Sequence, residues 1–135
     1  MSCEACHVTG DPNASIGLID IYDIFGLASQ TLQGADLLAT RLNAIVLIPD
    51  FFEGDALKHE YVPADTEEKQ KIISEFLAHK ANFDRNVGVL LDAVPQYKLS
   101  FPAASTWGAF GLCWGGKVRI WVGQWLSNIC ADSNS

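Results

Sequence analysis

The sequence predicts an α/β fold, a mostly parallel sheet with flanking helices. Three observations predict it. Short apolar runs alternate with amphipathic helical stretches along the chain, and such alternation builds parallel sheets through helical crossovers. The run "AIVLIPD" (44–50) is almost wholly apolar, as a strand covered on both faces must be. The chain has 135 residues, 49% hydrophobic and 19% charged, which is the composition of one folded domain and not of a disordered segment.

Each element has its own signal. Residues 1–15 are polar, and Gly10, Asp11 and Pro12 mark a turn. They are read as a cysteine-containing N-terminal segment, with the domain over 16–128 and a tail over 129–135. "IGLIDIYDIFG" (16–26) predicts a buried strand ending near Asp23. Asp20 fits badly there, because an unpaired carboxylate is costly to bury. "SQTLQGADLLATRL" (29–42) places Leu32, Ala35, Leu38, Ala39 and Leu42 on one helical stripe, with Ser29 as its N-cap. The second strand is 44–50, and a loop follows over 51–65. Asp65 and Glu68 have the spacing of a capping box, opening a helix that runs to about Lys80. Phe83, Val87, Leu90, Leu91 and Val94 carry a second helix to Pro95. "ASTWGAFGL" (104–112) is the third strand. "GGKVRIWVGQWLSN" (115–128) is a helix with Val118, Trp121, Val122 and Trp125 on one face.

The formal charge is −7, which argues against nucleic acid or an anionic membrane as partner, since both need a basic face. No apolar run approaches a membrane span and no secretory signal is visible, so the expectation is a cytoplasmic chain with reduced thiols. "CEACH" (3–7) has the C-x-x-C-H spacing of haem attachment. However, the single methionine is Met1, which leaves no methionine for an axial ligand. Cys3, Cys6 and His7 supply only three of the four ligands zinc needs. No cofactor and no metal are expected.

The chemistry concentrates at "AFGLCWGGKV" (109–118). Here G-x-C-x-G-G lies between a strand and a helix, the arrangement that presents a nucleophile on a tight turn. Gly111, Gly115 and Gly116 would remove Cβ atoms where strand and helix crowd together. Cys113 would stand at the corner, with the Trp114 N–H facing a developing oxyanion. The competing reading makes Cys113 a small packing residue.

"GLCWGGK" resembles the elbow of the dienelactone hydrolase family, a branch of the α/β-hydrolases. "YDIFG" (22–26), "QGADLLA" (33–39) and "IPDFFEGD" (48–55) resemble three further family segments in the same order, and "CEACHVTGDP" resembles the start of fungal members. The resemblance implies a partial α/β-hydrolase fold without its C-terminal strands. It implies a carboxylic-ester or lactone hydrolase with a small-molecule substrate and Cys113 as nucleophile. The backbone N–H groups of Ile24 and Trp114 would form the oxyanion hole. Asp23 would be the resting-state partner of the cysteine, or alternatively the cap of a turn. Family members work with a Cys-Asp-His triad. Residues after Cys113 include Asp132, which matches no family motif, and no histidine. No triad acid or base is found, so a truncated chain with little steady-state turnover is expected. His59 lies in a polar loop and His79 on a charged helix face. Glu53 and Gly54 stand where bacterial members carry a substrate-binding arginine, which argues against a dienelactone-like anion. The alternative function is a non-catalytic remnant that self-associates through an exposed sheet edge.

Overall fold

The structure, a computed structural model, describes residues 6–120, 122 and 123. Its strands are β1 (Cys6–Gly10), β2 (Ile16–Ile21), β3 (Ala44–Pro49) and β4 (Thr106–Gly111). Its helices are α1 (Ser29–Leu42), α2 (Glu67–Ala78), α3 (Phe83–Ser100) and α4, which is helical over 114–120 and at 122 and 123. The four strands form one mixed sheet in the order β1-β3-β2-β4. β2 runs parallel to both β3 and β4, and β1 is antiparallel to β3. This is a partial α/β fold, as the alternation of elements predicted.

β3 is buried at every position, which explains why its sequence carries no polar alternation. Successive side chains of β2 point to opposite faces. Ile19 and Ile21 face Leu90 and Val94 of α3, whereas Asp20 faces Thr31 and Leu38 of α1. The sheet therefore has α1 on one face and α3 on the other. Leu90, Ala93 and Tyr97 recur at helical spacing on the buried side of α3.

Several local expectations are corrected. β1 is a strand that the polar N-terminal segment did not announce; it pairs Cys6 through Gly10 with Pro49 through Ile45. Gly10 sits at φ +106, and a Cβ there would overlap the Ala44 carbonyl. Ser29 is the first residue of α1, not its cap: Ala28 holds the cap position and gives no side-chain bond. α2 is capped by Thr66, whose hydroxyl accepts the Lys69 N–H, while Asp65 pairs with the Lys69 ammonium at 2.9 Å. The helix stops at Ala78, short of Lys80. α3 does not end at Pro95 but continues to Ser100. Proline removes one helical donor, and the burial of Ala93 and Tyr97 on either side holds the helix together through it. Trp121, Trp125, Cys3, Cys130 and Asp132 lie outside the described residues.

Candidate active site

The parallel pairing of β2 with β4 ends at Ile21 opposite Gly111. This register sets two loops side by side at the carboxyl ends of neighbouring strands, where ligands of open α/β sheets bind. One is Tyr22–Gly26 and the other is Leu112–Trp114.

The second loop is a tight corner. Cys113 is exposed and adopts φ +58, a left-handed conformation that disfavours any residue with a Cβ. The glycines make the corner possible. A Cβ on Gly111 would lie 2.5 Å from the Gly115 carbonyl carbon, and one on Gly116 3.0 Å from the Gly111 oxygen. A Cβ on Gly115 would overlap the Ile21 carbonyl. The first turn of α4 thus rests directly on the end of β2. Gly115 N–H donates to the Leu112 carbonyl and Lys117 N–H to the Cys113 carbonyl, which starts the helix immediately behind the sulfur.

Trp114 anchors the corner from below. Its indole is buried and donates to the Ala81 carbonyl at 2.8 Å. It packs against Phe51, Phe52 and Phe83. Tyr22 joins the same aromatic cluster through Phe51 and Phe52. Its hydroxyl donates to Asp50 at 2.9 Å and accepts the Phe52 N–H at 2.7 Å. Burial pushes the Tyr22 phenol above its usual range, so it acts as a neutral strut. The cluster ties together the Tyr22–Gly26 loop, the exit of β3 and the Leu112–Trp114 corner.

The first loop is shaped by Asp23. Its Oδ1 accepts the Phe25 N–H at 2.9 Å and its carbonyl accepts the Gly26 N–H. That is the turn-capping role. Among the described residues Asp23 and Cys113 share no hydrogen bond. The Ile24 carbonyl accepts the Leu57 N–H. The N–H groups of Ile24 and Trp114 bond to no group among the described residues.

The loop after β3 folds over this one. His59 stacks on Phe25 with ring centroids 3.9 Å apart, a placement that the polar setting of His59 did not announce. No hydrogen bond joins His7, His59 or His79 to Cys113 among the described residues. Glu53 is engaged by Arg85 at 2.7 Å, and Lys80 lies 4.0 Å away. Arg85 also donates to the Phe51 carbonyl. No group of three or more metal-binding side chains occurs among the described residues, and no described helix is long and apolar enough to cross a membrane.

A solved structure, the dienelactone hydrolase-like promiscuous phosphotriesterase from metagenomic libraries, superposes on 87% of this chain and 54% of its own at a TM-score of 0.52. The chain shares its fold. Sequence identity is 21%, which speaks to fold alone. Two AIM2 family proteins of Schizosaccharomyces pombe are 33% and 32% identical over 114 residues, covering 84% of this chain and 45% of each relative. An endo-1,3;1,4-beta-D-glucanase of Zea mays is 26% identical over 119 residues, 87% of this chain and 34% of the relative. The chain spans less than half the length of these curated relatives. No family model matches it.

Proposed function

We propose that the chain belongs to the dienelactone hydrolase family and carries the nucleophile-bearing part of a carboxylic-ester or lactone hydrolase. The observation that supports this best is Cys113, exposed at φ +58 on a strand-to-helix corner beside the Ile24 loop. A left-handed corner of this kind lifts the thiol out of the core to where a substrate can reach it. The likeness to hydrolases and AIM2 family proteins points the same way.

In this reading the Cys113 thiolate adds to the ester carbonyl carbon, and the Ile24 and Trp114 N–H groups stabilise the oxyanion. The carbon–oxygen bond to the alcohol then breaks, the alkoxide takes a proton, and a thioester remains on Sγ. Water resolves the thioester by adding to the same carbon and expelling the thiolate. That second step needs a base within hydrogen-bond reach, and no described residue takes that place. Glu53, already bound to Arg85, makes the exit loop a poor seat for an anionic substrate. A neutral ester or lactone is therefore favoured.

With p-nitrophenyl acetate the expected result is a burst of one nitrophenolate per chain. An acetyl mass should appear on the peptide bearing Cys113, followed by slow turnover. Cys113→Ala should abolish both burst and adduct. Adduct on another residue, or none, would remove Cys113 from the nucleophile role. Rapid steady-state turnover that depends on Cys113 would show that the chain supplies a base.

A second reading rests on β4. Its outer edge pairs with no described strand, and Thr106, Gly108 and Ala109 are exposed. The segment holds no charge and no proline, the usual guards of an edge. We infer that two copies pair along β4 in an interaction role that needs no catalysis.

A further inference from the structure

We propose that the cavity between β2, α1 and the end of β4 is a binding site for a small organic ammonium ion with an apolar tail. The cavity holds about 380 Å³ and is lined by Asp20, Asp23, Thr31, Leu38, Phe110 and Leu112, among others. It adjoins the candidate active site through Tyr22, Asp23 and Leu112 but does not include Cys113, and amine binding does not require the ester chemistry.

Asp20 carries the argument. It is only 5% exposed, it lines the cavity, and no described residue gives its carboxyl a hydrogen bond or a cation. Its oxygens open onto the cavity and are not sealed in the core, so a cation entering there would find an unpaired carboxyl. Burial, with the nearby Asp23 charge, pushes the Asp20 carboxyl up to about 6. The pocket thus holds two acids and no base.

The chemistry of the walls selects the ligand. Gln30 and Thr31 bring no charge, and α1 has no acid in its first turn. The positive end of α1 offsets only about half a charge, so the two carboxyls dominate. Calcium or magnesium would want six or more oxygen ligands, and two carboxyls among Leu38, Phe110 and Leu112 supply too few. An ammonium needs only two or three acceptors, and its alkyl tail matches the apolar wall.

The test is calorimetric titration of the purified chain with n-hexylammonium chloride, with hexanol, hexanoate and calcium chloride as comparators. Saturable binding of hexylammonium in the millimolar range or tighter is expected, at least about tenfold stronger than hexanol or hexanoate. Asp20→Asn keeps the shape and removes the charge, and should weaken hexylammonium about tenfold while leaving hexanol unchanged. Equal binding of hexanoate, an unaffected Asp20→Asn protein, preference for calcium, or no saturation would overturn the proposal. Should Asp20→Asn fail to fold by circular dichroism, the comparison of the amine with its alcohol in the unaltered chain decides.

Discussion

Asp20 and Cys113 both sit in positions that stability alone would not choose. Asp20 holds its proton more firmly folded than unfolded, with its carboxyl raised from 3.8 to about 6. The sign follows from linkage: the burial penalty is absent below about pH 4, grows between pH 4 and 6, and is constant above. Asp20→Leu should therefore stabilise the chain at pH 7.5 by on the order of 2 kcal/mol, after allowance for solvent at the cavity mouth. The gain should shrink by about that amount near pH 4, and urea denaturation at the two pH values checks it. Cys113 is strained by its positive φ. Cys113→Gly should stabilise by about 1 kcal/mol while removing all thioester formation. A lower melting temperature would show that the corner is not strained. Both residues stood out in the sequence, Asp20 as a misfit in an apolar run and Cys113 by its flanking glycines. The stack of His59 on Phe25 did not, because it depends on how one loop folds over another, which no local pattern encodes.

At the scale of elements, the join between α2 and α3 locks the exit of β3 in place. Asn86 is fully buried; its amide donates to the Lys80 and Asn82 carbonyls at 2.8 and 2.7 Å, and its oxygen accepts from Arg85. Asn86→Leu would remove these three hydrogen bonds, although the Asn82 carbonyl keeps the residue-86 N–H and the Lys80 carbonyl keeps Arg85, and should cost about 3 kcal/mol by chemical denaturation. Loss of less than about 1 kcal/mol would mean that water replaces the amide. The strands β2, β3 and β4 and all four helices were legible from periodicity, because each buries a continuous apolar stripe or run. β1 was not, since Cys6–Gly10 alternates only partial burial and owes its form to the neighbouring β3. Proline and cap signals misled where burial outweighed local preference, as at Pro95, or where the cap position fell on a neighbouring residue, as at Thr66 and Ala28.

For the whole molecule, the edge-pairing proposal rests on β4, whose outer edge pairs with no described strand. Light scattering after size exclusion should show dimers that grow with concentration, and Ala109→Lys should return the chain to monomers. A strictly monomeric chain at high concentration would remove the edge-pairing role. The sheet order has another consequence. Tyr22–Gly26 and Leu112–Trp114 meet only because β4, made late, is laid beside β2, made early, with β3 already on its other side. The corner cysteine is therefore completed by the strand pairing most distant in sequence among the described residues, the kind of contact that forms slowly. Acylation of Cys113 during refolding would then act as a clock. It should lag behind the recovery of helix signal and keep pace with the burial of Trp114.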